Sequence, residues 1–234
     1  MSDYLYSAFL FIGMLLSVPL FFVRDFEFRK LHRIMFVVIF LITILETLGT
    51  YTASNGMQNV IYYNLAFVYL ETILILYFFQ IAFLSDKAKK IVSLAIGGFF
   101  FWALFYSIFF QSLFVFHNVS YVIGGVLLIS FCMYFFYGLM KEDWYQDKNL
   151  LILPIFWIVT MIMFFYSGSL LYFASFRFIS GANIELMIKI NYIIQFLSVL
   201  MYWVMGTAFY IPFWLEGKQP NVNGGLNTPT EVLK

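Results

Sequence analysis

Seven long apolar runs, separated by short polar connections, take up nearly the whole of this 234-residue chain. They fall at residues 4–23, 34–53, 60–84, 91–110, 119–140, 150–173 and 184–214. A run of about 20 apolar residues crosses the hydrocarbon core of a bilayer as a helix, since in lipid each backbone polar group must be bonded within the segment. A membrane barrel would need strands of about ten residues with polar groups at alternate positions. The stretch IMFVVIFLITIL, residues 34–45, shows no such alternation. The expectation is therefore an all-α, polytopic membrane protein of seven transmembrane helices, with residues 1–216 forming the bundle.

The polar residues fit this reading. Only 11% of residues are charged, against about 25% in soluble domains. The formal net charge of +1 gives no reason to expect a nucleic acid partner. Connections such as SNGMQN and SDKAKK are too short to hold a folded domain. The N-terminal MSDYLYSAFLFIGMLL has an acid and no base before its apolar run, the reverse of a cleavable signal, and is expected to remain as the first span. The C-terminal GKQPNVNGGLNTPTEVLK, residues 217–234, offers no apolar face and is expected to be a disordered cytoplasmic tail. Cys132 is the single cysteine, which excludes an intramolecular disulfide and a cysteine metal site. No cofactor is expected.

Basic residues orient the spans. Arg24, Arg29, Lys30, Arg33, Lys87, Lys89, Lys90, Lys141 and Lys148 fall in alternate connections, and the tail adds Lys218 and Lys234, which is 11 of the 13. The opposite side keeps Arg177 and Lys189. The basic side is expected to be cytoplasmic, which places the N-terminus outside and the C-terminus inside.

Two acids stand out against this background. Glu46 and Glu71 lie inside apolar runs with no base nearby in sequence. A charged side chain at mid-membrane costs about 2.5–3.5 kcal/mol even on lenient scales, so such an acid is expected to face the bundle interior, to be protonated or to have a partner. At helical rise, Glu46 lies roughly 10 Å and Glu71 roughly 16 Å from the outer ends of their runs. Joined by a short outer connection, these two runs are expected to be antiparallel neighbours. Thr43, Glu46 and Thr50 recur at helical spacing, and Asn64 and Glu71, seven residues apart, share one face of the third run. Asn191, Gln195, Ser198 and Tyr202 form a similar stripe in the last run. Lys189 lies slightly nearer the outer surface, with Glu185 four residues earlier as a candidate ion partner.

These positions predict a polar pocket in the outer half of the bundle, with Glu46 and Glu71 at its centre and Asn64, Asn191 and Gln195 around them. Thr43, Thr50 and Lys189 complete the candidate set. Asn64, Thr43 and Thr50 are weighted toward interhelical hydrogen bonding. The two glutamates are weighted toward function, because packing does not require an ionisable group. His32, in the basic FRKLHR, is expected to face anionic lipid. His117 falls on the opposite side, so the two histidines cannot share a metal. Ser167, Gly168 and Ser169 are expected to permit close helix approach, and Pro154 to open or kink its span.

Familiar seven-helix families fit poorly. Microbial rhodopsins carry a lysine near the middle of the seventh helix, whereas IQFLSVLMYWVMG has none. An acid–Arg–aromatic triplet, as in animal-type seven-helix receptors, is missing from FFQIAFLSDK. Three stretches together, LETLGTYTASNGMQNVIYYNLAFVYLETILILYFF, LPIFWIVTMIMFFYSGSLLYF and INYIIQFLSVLMYWVMG, resemble small seven-span bacterial membrane proteins of undefined activity, often encoded beside sensor histidine kinases. That resemblance implies a sensory or signalling component of the inner membrane, with a sensor kinase or another membrane protein as partner. It also implies that Glu46, Asn64 and Glu71 belong to a recurring pattern.

The functional expectation is a receptor-like or signalling-accessory protein whose pocket accepts a small molecule, lipid or proton. A small proton-coupled transporter ranks second, because the cytoplasmic halves of the spans are nearly free of polar residues. A non-catalytic subunit of a membrane complex remains an alternative. An intramembrane enzyme ranks last: no histidine lies within an apolar run and no nucleophile–base arrangement is visible.

Overall fold

A computed structural model describes residues 3–23, 27–146, 148–179 and 184–216. The 217–234 tail, Arg24, and the side chain of Arg177 lie outside the described residues. Seven helices are long and apolar enough to cross a membrane, and the described residues contain no strand. Helix α1 (Asp3–Ser17) runs into a 3₁₀ turn, Val18–Phe22, whose Pro19 tolerates the missing donor at a helix start. Then come α2 (Arg29–Ser54), α3 (Val60–Ala82), α4 (Asp86–Phe109), α5 (Asn118–Lys141) and α6 (Pro154–Ile179). Helix α7 (Ile184–Thr207) continues through a 3₁₀ turn, Ala208–Tyr210, into the short α8 (Ile211–Glu216). Pro154 takes the first position of α6, one of its two expected roles.

Six helices close a ring, in which α1 packs on α2 and α7, α3 on α2 and α5, and α6 on α5 and α7. Helix α4 rests outside the ring against α3 and α5. The division follows from helical periodicity. In α2, Leu31, Met35, Val38, Ile42 and Leu45 are buried at three- and four-residue spacing, while Val37, Phe40, Ile44 and Leu48 face outward. The core joins Met35 and Val38 of α2, Leu76 and Phe79 of α3, Ile158 and Ile162 of α6, and Met201 and Met205 of α7, all without exposed surface. Burial on one side and apolar surface on the other is what a helix between protein and lipid requires. Small residues set the α1–α7 spacing: a Cβ on Gly206 would lie 3.1 Å from the Gly13 carbonyl oxygen.

Two expectations meet different outcomes here. The Ser167–Gly168–Ser169 stretch does serve packing, with Ser169 Oγ 2.8 Å from the Tyr121 hydroxyl and Gly168 facing Leu197. His32 does not face lipid. It is fully buried, with Nε2 3.0 Å from Ser17 Oγ and 3.1 Å from the Ser17 carbonyl oxygen, and its ring meets Phe21 and Phe209 edge-on. Helix α2 begins at Arg29, so position 32 turns inward beneath the end of α1.

The turn after α5 depends on one glycine. Asp143 and Tyr145 both adopt left-handed backbone (φ 53° and 57°), which folds Trp144 back onto Gly138. The Tyr145 hydroxyl then donates to the Ala82 carbonyl at 2.7 Å, capping the end of α3. A Cβ on Gly138 would lie 2.5 Å from the Trp144 ring, whereas one on Gly97 would meet nothing within 4 Å. Gly138→Ala is therefore expected to lower stability by about 1–3 kcal/mol through overpacking. Gly97→Ala is expected to leave it unchanged or raise it by about 0.5–1 kcal/mol. Thermal unfolding of the two variants in non-ionic detergent checks the contrast.

Candidate functional site

At the end of the bundle that holds the N-terminus, the helices part around a cavity of about 480 Å³. Its polar wall comes from Glu46 and Thr50 of α2, Tyr63 of α3, and Asn191 and Gln195 of α7. Phe67, Phe116, Phe165 and Phe173 supply most of the apolar wall. Phe116 and Phe173 stack with ring centroids 5.4 Å apart.

Glu46 is half-buried, and its Oε2 accepts a hydrogen bond from the Tyr63 hydroxyl at 3.0 Å. That bond exists because of the residue one turn further along α2. A Cβ on Gly49 would sit 2.4 Å from the Tyr63 hydroxyl oxygen, so only glycine lets the phenol cross the face of α2. Thr50 bonds its own helix at the Glu46 carbonyl (2.9 Å) and reaches Ser7 of α1 at 3.3 Å. On the opposite wall, Gln195 Oε1 is buried and accepts no hydrogen bond from the described residues. None of the described lining residues of the cavity is basic.

The lower boundary is formed by Tyr6, Phe67, Phe165 and Ser198, with the Tyr6 hydroxyl 2.8 Å from Ser198 Oγ. Glu71 follows Phe67, and Tyr202 follows Ser198, by about one helical turn, which puts a second polar layer roughly 6 Å below. There Glu71 has no exposed surface. Its Oε1 accepts from the Tyr202 hydroxyl at 2.8 Å and the Tyr166 hydroxyl at 3.4 Å, tying α3 to α6 and α7. Glu71 Oε2 is buried without a hydrogen-bond partner among the described residues. Glu46 and Glu71 lie in different layers. They do not share a compartment: Glu46 lines the cavity, and Glu71 lies sealed beneath it.

The other expected residues divide in the same way. Asn191 and Gln195 line the cavity with Glu46 and Thr50. Thr43 is buried and bonds its own helix at the Ile39 carbonyl, 2.8 Å away. Lys189 pairs with Glu185 at 2.6 Å on an exposed face, as the four-residue spacing suggests, and stays outside the cavity wall.

Asn64 stays outside the cavity wall and serves hydrogen bonding between elements, the role toward which it was weighted. Residues Tyr63–Glu71 are wound as a π-helix with i→i+5 hydrogen bonding. Seven residues make about two turns of α-helix but only about one and a half of π-helix, so Asn64 and Glu71 point apart. Asn64 faces the α4–α5 connection, where Nδ2 donates to the Leu113 and Val115 carbonyls (2.8 Å each) and Oδ1 accepts from the His117 amide at 2.9 Å.

Sequence reasoning did not find the network around that connection. His117 is fully buried, and its Nε2 faces the carbonyls of Gln111 (3.1 Å) and Ser112 (3.2 Å), so Nε2 carries the donated proton. Nδ1 meets the Tyr69 hydroxyl at 2.5 Å. Tyr166 was equally hidden, because an aromatic residue in an apolar run reads as core or lipid surface. Tyr202 carried a signal through its place on the polar stripe of α7.

No protein-family model, curated protein or solved structure matches this chain.

Glu71→Ala would leave two buried hydroxyls without their acceptor, at about 1–3 kcal/mol for each unsatisfied group, whereas Glu71→Gln keeps an acceptor carbonyl. The expected order of detergent melting temperatures is wild type, then Glu71→Gln, then Glu71→Ala. The Tyr166→Phe/Tyr202→Phe double variant should recover part of the loss in the Glu71→Ala background.

Proposed function

We propose that this chain is a receptor-like or signalling-accessory protein of the bacterial inner membrane, with its N-terminus outside, that binds a small ligand in the cavity and passes the signal to a separate protein. The observation that carries this reading is the closed floor. Below Tyr6, Ser198 and Phe165 the helices meet in the Glu71 layer and then in fully buried apolar side chains such as Met35, Phe79, Ile158 and Met205. A site open at one end and packed at the other suits recognition better than passage. The size supports a ligand as well, since small-molecule pockets run from about 300 to 1,000 Å³.

The orientation rests on the excess of Lys and Arg in the connections at the opposite end, which favours that end as cytoplasmic. Those basic connections are the natural contact for an output protein. The resemblance to bacterial proteins encoded beside sensor kinases makes such a kinase the first partner to test. A proton-coupled carrier is the second reading, favoured by the buried acid Glu71. Among the described residues, the side chains between Glu71 and the basic end include the fully buried apolar Met35, Phe79, Ile158 and Met205.

Proteoliposomes with an internal pH-sensitive dye separate the two. The protein is expected to leave an imposed proton gradient decaying at the rate of protein-free vesicles. Faster decay that disappears in Glu46→Gln or Glu71→Gln would replace the receptor reading with the carrier.

A further inference from the structure

We infer that the cavity takes a flat, uncharged aromatic ring whose edge carries a group that both donates and accepts hydrogen bonds, such as a carboxamide. This rests on the cavity being a ligand site, as proposed above, and adds the chemistry of what enters.

The aromatic wall is held by contacts within the protein. Tyr121 of α5 is buried behind it, and its hydroxyl donates to Ser169 Oγ of α6 at 2.8 Å. From that anchored position the Tyr121 ring meets three of the rings that line the cavity. Centroid separations are 5.3 Å to Phe67 of α3, 4.4 Å to Phe173 of α6 and 6.4 Å to Phe116 of the α4–α5 connection. Phe116 and Phe173 also stack on each other. Rings that hold one another keep their faces and edges in place, and a further flat ring extends the offset-stacked and edge-to-face contacts that aromatic groups prefer. A saturated body of equal size buries area without gaining that geometry.

The polar lining sets the second requirement. Asn59 before α3, Asn118 at the start of α5 and Asn191 of α7 bring carboxamides to the lining from three elements. A carboxamide presents a donor and an acceptor together, so a neutral group that presents the same pair matches it. Among the described lining residues there is no Lys, Arg or His, and an anionic group would give up its water without gaining a countercharge. The Glu46 carboxyl is engaged within the protein, where it accepts from the Tyr63 hydroxyl at 3.0 Å. A cationic group would compete with that phenol. An unsubstituted hydrocarbon would use the rings and leave the carboxamides unmatched. A flat ring with a neutral donor–acceptor edge uses both walls, in the pattern of an apolar pocket whose few polar groups fix orientation.

Four probes separate charge from flatness. Naphthamide, naphthoate and naphthylmethylammonium, all as the β isomer, carry one ring system with a neutral, an anionic or a cationic group. Decahydronaphthamide keeps the amide and removes the flat ring. Each is equilibrated by dialysis between the full chain in non-ionic detergent and the same detergent without protein, which subtracts uptake by micelles, and is quantified by mass spectrometry. Naphthamide is expected to bind most tightly, by about threefold or more over each of the others. Asn191→Leu, on an exposed position of α7, is expected to weaken naphthamide by about threefold or more, the scale of one hydrogen bond. Phe173→Leu is expected to reduce the preference for naphthamide over decahydronaphthamide by a similar factor of about three. Melting temperatures without probe control for folding; if Phe173→Leu melts well below wild type, Phe116→Leu takes its place. Tightest binding by the carboxylate, the ammonium or the saturated amide, equal binding of all four, no binding of naphthamide, or a folded variant without its stated effect overturns the inference.

Such a ring can arrive free in solution or on the head of a membrane-dissolved isoprenoid. Naphthamide binding to the protein as purified supports the soluble source, and binding that appears only after exhaustive delipidation supports the membrane source. Either supports the neutral aromatic class. Failure of the receptor reading is read separately: rapid proton-gradient decay with naphthamide still preferred would remove that reading and leave the ligand class intact. A charged or saturated probe that binds best would do the reverse.

Discussion

A bilayer offers no water to a stranded polar group, and this constraint governs the arrangement of the bundle. Glu71 shows the constraint at its strongest. An acid without exposed surface is compatible with the fold because phenols from two other helices reach one of its oxygens. The same rule explains Asn64, which binds two carbonyls and an amide of the α4–α5 connection. It also explains the buried threonines, which bond back to their own helices. Most of the polar side chains inside the ring are therefore structural anchors that fix helix phase and spacing. A separate polar set, Glu46, Thr50, Asn191 and Gln195, lines the cavity.

The architecture was legible because its cause is coarse. Seven runs of apolar residues translate into seven helices wherever backbone bonding must be internal. The α2–α3 pairing followed from a short connection, and the Glu185–Lys189 pair from a four-residue spacing. Four of the predicted pocket residues, Glu46, Thr50, Asn191 and Gln195, line one cavity. Each was placed by counting turns along a regular α-helix.

Asn64 and Glu71 were misplaced relative to each other for one reason. Counting turns assumes a constant period, and α3 breaks it between Tyr63 and Glu71. No composition cue marks the break, since YNLAFVYLE contains neither proline nor glycine. The acid at its end was found, but the compartment it occupies was not. His32 failed differently. Its basic neighbours suggested an interface, yet His32 precedes the fully buried Met35 by three residues, which sets both on the inward face of α2. Glu71 itself was legible as unusual and not as sealed, because the phenols that hold it are distant in sequence and chemically ambiguous in an apolar run.

The wide winding of α3 sets the rotation between two attachments. At its beginning Asn64 is fastened to the α4–α5 connection, and at its end Glu71 is fastened to α6 and α7. A π stretch of nine residues turns through about half a revolution less than an α stretch of the same length. Loss of one residue within it would tighten the coil and barely shorten the span. The rod would still reach both ends, but with its fastenings out of register by a fraction of a turn. In this molecule the angular offset between rim and interior is thus stored in one loosely coiled rod, not in the number of residues that the membrane's thickness demands.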